Sequence, residues 1–130
     1  MIVAEVATAP KVIAEQAKVV ADRAKSAGPL KKGFQKAGLT LSGKKLGVKT
    51  MDHSSIYEGE FDQGRQDGLG RYHLHWGDLY EGEFKNSKAE GLGVAKFAGG
   101  DTYEGQWLHG SPHGRGVKRR ADQTVIFEGD

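Results

Sequence analysis

Residues 57–61 read YEGEF, and the same five letters return at 80–84. A close variant, YEGQW, stands at 103–107, and a fragment, FEGD, follows at 127–130. A fixed period of this kind is the most informative signal that a sequence can carry. Here the period is 23 residues, and each unit places a glycine between two aromatic residues.

Each unit predicts one β-hairpin. In a strand alternate side chains share a face, so Tyr57, Gly59 and Phe61 face one way, while Glu58 and Glu60 face the other. A turn-rich stretch and a second strand, GRYHLH, complete the unit. An isolated hairpin is only marginally stable, so the hairpins must stack into one sheet.

The glycines have a predicted packing role. A glycine inside a strand normally weakens it. Here its missing side chain leaves room for a ring on a neighbouring strand, so that rings and glycines cover each other. The register that we considered places Phe61 opposite Gly70 and Tyr80 opposite Leu74. The structural glycines predicted in this way are Gly59, Gly68, Gly70, Gly82, Gly91, Gly93, Gly105, Gly114 and Gly116.

The outer face is predicted to carry ion pairs exposed to solvent. The same register pairs Glu60 with Arg71 and Glu58 with His73. In the later repeats it pairs Glu81 with Lys96 and Glu104 with Arg119. Exposed pairs contribute little to stability, so we interpret these glutamates as solubilising rather than catalytic.

This pattern resembles the MORN (membrane occupation and recognition nexus) repeat family. The resemblance is carried by YEGEF-x6-GLG in the first two repeats and YEGQW-x6-GRG in the third. It implies a mainly β fold, a single-layer twisted antiparallel sheet of stacked hairpins with about seven strands. The expected repeats are 57–79, 80–102 and 103–126, within a domain at 55–130. Ser87, Gln123 and one extra residue before Phe127 depart from the pattern and suggest irregular turns.

The residues before the repeats differ in charge and in pattern. Residues 1–50 contain ten basic and three acidic residues, whereas residues 51–130 contain nine basic and fourteen acidic ones. The spacing of Ile13, Ala17, Val20, Ala24 and Ala27 predicts an amphipathic helix within 1–28, which packs on this sheet or on a partner. A mitochondrial targeting peptide is the other interpretation, although the acidic residues there argue against it.

Residues 29–54 are predicted to be a basic, flexible or extended linker. The chain has no cysteine and no long apolar run, so an intracellular protein is expected, in the cytoplasm, cytoskeleton, cilium or flagellum, or in the mitochondrion. Its lysines could contact an acidic protein or an anionic membrane, and nucleic acid is not expected because Phe34 alone could stack on a base. The basic arm comprises Lys31, Lys32, Lys36, Lys44, Lys45 and Lys49.

No arrangement of residues predicts catalysis, a cofactor, a metal site or a small-molecule substrate. His73 and His75 share a strand face, but no second pair of ligands has a suitable spacing. We therefore expect a non-catalytic scaffold that binds a partner protein within a larger assembly, and exposed apolar patches commonly mark such sites. A membrane tether and an accessory subunit of an enzyme complex, including an organellar one, remain alternatives. The resemblance implies a partner-binding groove formed by Tyr57, Phe61, Tyr72, Tyr80, Phe84, Phe97, Tyr103 and Trp107.

Overall fold

The computed structural model describes residues 9–25, 44–51 and 54–129. These residues form one helix and one antiparallel sheet, which confirms the predicted mainly β fold. The helix is α1 (Pro10–Lys25). The strands are β1 (Lys45–Thr50), β2 (Ile56–Asp62), β3 (Arg65–His73), β4 (Leu79–Lys85), β5 (Lys88–Lys96), β6 (Thr102–Leu108), β7 (Ser111–Arg119) and β8 (Val125–Gly129).

The strands follow one another across the sheet in chain order, from β1 to β8. The described residues thus form eight strands instead of about seven. The additional strand, β1, lies within the segment predicted to be a flexible or extended linker. It pairs with β2 because Leu46-Gly47-Val48 reproduces, 23 residues earlier, the pattern of Leu69-Gly70-Arg71.

A line of glycines crosses the whole sheet. Gly59 lies opposite Gly70, and Gly70 lies opposite Gly82. The line continues through the other strands and comprises Gly47, Gly59, Gly70, Gly82, Gly93, Gly105, Gly116 and Gly129. We call this line the glycine row.

The register that we considered from the sequence is wrong by two residues along most of each strand. Gly59 instead of Phe61 lies opposite Gly70, and Tyr80 lies opposite Tyr72 instead of Leu74. In the first hairpin the tight turn at Gln63 and Gly64, after which β3 begins at once, places Phe61 opposite Gln66, four residues from its predicted partner. A bulge between Gly59 and Phe61 then adds two residues to β3 and reduces the difference to two.

The expected irregularity is not seen in the turns at Ser87 and Gln123. Asn86 and Ser87 have φ values of 50° and 70°, close to the 53° and 81° of Gln63 and Gly64. Gln123 likewise has a left-handed φ of 74°, although it stands where the earlier repeats have glycine. The turns keep their conformation because neighbouring strands fix where each turn begins and ends. The extra residue before Phe127 produces a register shift between β7 and β8.

Helix α1 packs against the sheet through small side chains. Its buried residues are Ile13, Ala14, Ala17, Ala21 and Ala24. Ala17 and Ala21 contact Val94, with Leu92 beside them. Alanine allows the helix to approach the strands closely. Ile13, Ala17 and Ala24 are buried as predicted, whereas Val20 is half-buried and Ala14 and Ala21 are buried instead. Ala27 lies outside the described residues.

The candidate partner-binding surface

The eight aromatic residues predicted to form a groove all lie together on one face of the sheet, which we call the aromatic face. Tyr57, Tyr80, Phe84, Tyr103 and Trp107 are buried in one cluster. Phe61, Tyr72 and Phe97 pack against this cluster and are half-buried. The five buried rings therefore form the core of this face, and the three half-buried rings remain accessible to another molecule.

Six of these rings form a continuous edge-to-face chain along the aromatic face. The order is Phe61, Tyr57, Phe84, Tyr80, Trp107 and Tyr103, with ring centroids of neighbours 5.1, 4.8, 5.1, 4.9 and 5.3 Å apart. Edge-to-face contacts at these separations are favourable because the positive edge of one ring meets the negative face of another. The chain crosses from one repeat to the next, so it couples the repeats.

Each repeat tyrosine lies over a glycine of the glycine row. A Cβ atom added to Gly93 would collide with the ring and hydroxyl of Tyr80, and Tyr57 blocks Gly70 in the same way. The hydroxyl of Tyr80 donates a hydrogen bond of 2.8 Å to the carbonyl oxygen of Glu83. This burial raises the pKa of the Tyr57 and Tyr80 hydroxyls far above the usual value of tyrosine.

A second set of glycines accommodates carboxylate and amide side chains. The second glutamate of YEGEF accepts a backbone hydrogen bond at the bulge, from Leu69 N–H to Glu60 and from Leu92 N–H to Glu83. Gln106 accepts the equivalent bond from Arg115 N–H at 2.6 Å. Each of these side chains lies directly against a glycine, namely Gly68, Gly91 and Gly114.

The first glutamate of each repeat lies on the opposite face, which we call the glutamate face. Glu58, Glu81 and Glu104 are only 7%, 1% and 8% exposed. The prediction of a solvent-exposed face is therefore wrong, because helix α1 lies on it. Lys18 Nζ is 3.6 Å from Glu104 and Lys25 Nζ is 4.0 Å from Glu81.

The predicted ion pairs are found only in part. Glu58 contacts His73 at 3.6 Å and Glu104 contacts Arg119 at 3.4 Å, as predicted. Arg71 lies between Glu58 and Glu81, at 3.1 and 2.9 Å. It does not pair with Glu60 as predicted, because the two-residue register difference moves it along the strand. The same burial under α1 gives Glu81 the partners Arg71 and Lys25 instead of Lys96.

The basic arm is described from Lys44 onwards, and Lys31, Lys32 and Lys36 lie outside the described residues. Lys44 forms a 2.7 Å ion pair with Asp67, which raises the pKa of the lysine and lowers that of the carboxyl. Lys45 and Lys49 are exposed on β1.

Sequence reasoning missed the covering of the glutamate face by α1. The available signal was the seven-residue spacing of Lys18 and Lys25. Two helical turns rise about 10.5 Å, and two strand spacings span about 9.6 Å. The helix can therefore place one lysine near the glutamate of each successive repeat.

Two further features of the described residues bear on function. No group of three or more His, Asp or Glu side chains in these ranges is arranged to hold a metal ion. Within the same ranges, no helix combines the length and the apolar character needed to cross a bilayer.

Comparison with known families agrees with this geometry. The MORN repeat model matches three consecutive stretches, residues 57–79, 80–102 and 103–125. These stretches cover more than half of the chain, and each spans one hairpin and the whole of the following turn. No curated protein matches the chain.

Proposed function

Because this chain belongs to the MORN repeat family, whose repeats are generally protein- or membrane-interaction modules, we propose that it is a non-catalytic scaffold subunit. Its aromatic face would bind a helical segment of a partner protein within a larger, ciliary or cytoskeletal assembly. MORN repeats are typically non-catalytic, which agrees with this role.

The observation that carries the proposal is the different cover of the two faces. Helix α1 occupies the glutamate face, and the described residues place no helix or second sheet over the aromatic face. Tyr72, Phe61 and Phe97 retain accessible ring surface there. An amphipathic helix commonly binds such a surface by inserting apolar side chains between rings.

Two lysines at the border of the aromatic face favour a partner helix that carries acidic residues. Lys118 Nζ lies 5.6 Å from the centre of the Phe97 ring. Lys49 is exposed opposite Tyr57 on the neighbouring strand. A partner helix with an apolar stripe bordered by carboxylates would pack on the rings and form ion pairs with both lysines.

The experiment is an affinity pull-down with the full chain and a Tyr72→Ser, Phe97→Ser double variant. These rings are half-buried, so the variant removes accessible surface and keeps the buried rings of the core. A change at Tyr80 and Phe84 would instead remove part of that core. Val19→Ser, which alters an exposed side chain on the outer side of α1, is the matched control. The double variant should lose a defined set of partners that the control retains. Equal sets for all three proteins would refute the proposal.

A peripheral membrane role for the basic arm is a second candidate, favoured by the exposure of Lys45 and Lys49. Each lysine near an anionic surface contributes about 1 kcal/mol. Replacing Lys31, Lys32, Lys36, Lys45 and Lys49 by Gln should abolish flotation with anionic liposomes but leave the pull-down unchanged. Retention of flotation by this variant would exclude the arm as the membrane contact.

A further inference from the structure

The two outer strands of the sheet each have the pattern of half a repeat. In a complete repeat the first strand carries Tyr-Glu-Gly and the second carries the opposing glycine, as in β2 and β3. Strand β1 has the pattern of a second strand, with Gly47 standing 23 residues before Gly70. Strand β8 has the pattern of a first strand, Phe127-Glu128-Gly129.

Each half-repeat lies at an edge of the sheet that the described residues form. Among the described residues, β1 and β8 have a neighbouring strand on one side only. Three of the large apolar side chains that remain exposed are on these strands: Val48 is 49% exposed, Val125 41% and Ile126 43%. Sheet edges with exposed apolar residues are templates for pairing with another chain.

The direction of the backbone groups defines how each edge could pair. Met51 N–H donates to the carbonyl oxygen of Ser55, so Met51 faces β2. In an antiparallel ladder the direction alternates, so the N–H groups of Thr50 and Val48 point away from β2. On β8, Phe127 lies opposite Lys118 as Tyr80 lies opposite Tyr72. The register shift between Lys118 and Arg119 interrupts the alternation at Ile126. Beyond it Val117 lies opposite Glu128, and the alternation from Phe127 directs the N–H group of Glu128 away from β7.

We propose that β8 of one copy pairs antiparallel with β1 of a second copy and so completes a repeat between two molecules. The internal register of β2 and β3 gives the register of this joint. Glu128 would lie opposite Val48 of the second copy. Gly129 would lie opposite Gly47 and continue the glycine row.

The glycine row favours β8 of a second copy as the partner of β1, rather than the segment of the same chain that stands one repeat before β2. A Cβ atom on Gly59 would lie 2.5 Å from the Cα atom of Gly70. Cβ atoms on Gly82 and Gly105 would lie equally close to the Cα atoms of Gly93 and Gly116. The first strand of a repeat therefore needs glycine at this position. The residue that stands 23 positions before Gly59 is Lys36, whereas β8 supplies Gly129.

The proposed joint uses two different surfaces, so it is heterologous. Each added copy presents a new β1 or β8 at its free end. Such contacts produce open, linear assemblies unless the rotation closes a ring. This inference is independent of the partner proposed for the aromatic face.

The test uses two full-length variants that each block one edge. Thr50→Pro removes an outward N–H from β1, and Glu128→Pro removes one from the regular part of β8 beyond the register shift. Proline is tolerated at the outer edge of an edge strand. Thr50→Val and Glu128→Val are matched controls that keep the N–H group. Light scattering after size exclusion measures mass against the monomer value of 14.0 kDa over a series of concentrations.

The wild-type chain and both valine variants should grow in mass with concentration. Each proline variant alone should remain monomeric, and a mixture of the two should give a species of twice the monomer mass that grows no further. A dimer of Glu128→Pro alone would indicate β1 pairing with β1, and a dimer of Thr50→Pro alone would indicate β8 pairing with β8. Either dimer, or a monomeric wild-type chain throughout, overturns the proposal.

A measurement on the unaltered chain covers the case in which a proline variant fails to fold. Hydrogen exchange of the wild-type chain should slow with concentration at the amides of Val48, Thr50 and Glu128. The amides of Gly47 and Lys49, which face β2, should not change. Exchange at the three outward amides that is independent of concentration would contradict the joint.

Discussion

On the aromatic face the rings lie on the bare backbone of the sheet itself, whereas on the glutamate face charged groups are buried by a helix from outside the repeats. Tyr80 lies over Gly93, and its only polar atom bonds to a carbonyl of its own strand. Glu81, one residue later, depends on Arg71 and on Lys25 of α1. The comparison teaches that a one-layer sheet can stabilise one face locally but needs an additional element for the other.

The largest expected effect comes from adding one methyl group to the glycine row. In Gly93→Ala the new Cβ would collide with the Tyr80 ring, so the ring must leave its site. We expect a loss of at least about 3 kcal/mol in the free energy of unfolding, measured by urea denaturation. Gly99→Ala is the control, because nothing lies within 4 Å of its Cβ position. Equal losses in both variants would show that the rings do not depend on the bare backbone.

Alkaline pH should destabilise the aromatic face specifically. Burial raises the pKa of Tyr57 and Tyr80, so the folded chain keeps protons that the unfolded chain releases near pH 10. Above that pH the unfolded state binds fewer protons, and the free energy of unfolding falls with rising pH. The slope should be about 1.4 kcal/mol per pH unit for each tyrosine.

Denaturation at several pH values above 10 measures this slope, with tyrosine ionisation followed by absorbance. Tyr80→Phe should reduce the slope by the share of one tyrosine. A slope unchanged by that substitution would mean that Tyr80 ionises while the chain is folded.

On the glutamate face, Glu81→Gln should cost about 2 kcal/mol of unfolding free energy, because it removes a buried charge from Arg71. The loss is moderated by Glu58, which remains paired with Arg71. Lys25→Ala should lower the free energy of unfolding by no more than about 0.5 kcal/mol, because the Lys25 side chain is half-exposed and its Nζ atom lies 4.0 Å from Glu81. If Lys25→Ala is the more harmful of the two, the helix and not Arg71 stabilises this carboxylate.

At the bulge, shape should matter more than charge. Glu83→Gln should leave stability within about 0.5 kcal/mol, because Gln106 performs the same role in the third repeat. Glu83→Ala should cost about 1–2 kcal/mol, since the N–H of Leu92 loses its acceptor. Thermal unfolding of the two variants side by side measures the difference. Similar losses for Gln and Ala would mean that the charge itself is required.

The smallest effect should be a gain at a turn, away from both faces. Ser87 has a left-handed φ of 70°, a conformation that favours glycine. Ser87→Gly should therefore raise the free energy of unfolding by about 0.5–1 kcal/mol. Gly64→Ser, the reverse change at the equivalent turn of the first repeat, should lower it by a similar amount. A loss in both variants would show that Ser87 contributes more than its backbone conformation.

The sequence by itself determined the period, the hairpins, the antiparallel order and the identity of the eight rings that share a face. These features follow from alternation along a strand and from the spacing of Tyr57, Tyr80 and Tyr103, which are local properties. The register was beyond this reasoning, because a bulge at Gly59 and a two-residue turn at Gln63 and Gly64 change the pairing without changing the pattern.

Only the tertiary structure decided which face α1 covers and that residues 45–50 form a strand. Both depend on surfaces that exist only once the sheet has formed. A stripe of small residues such as Ala17 and Ala21 fits closely against Val94, but that stripe does not indicate the face of the sheet on which the helix will lie. The spacing of Lys18 and Lys25 indicates the face only when it is compared with the distance between the glutamates of alternate strands. The periodic half of the chain could therefore be predicted from local chemistry, and the placement of the helix required long-range packing to be known.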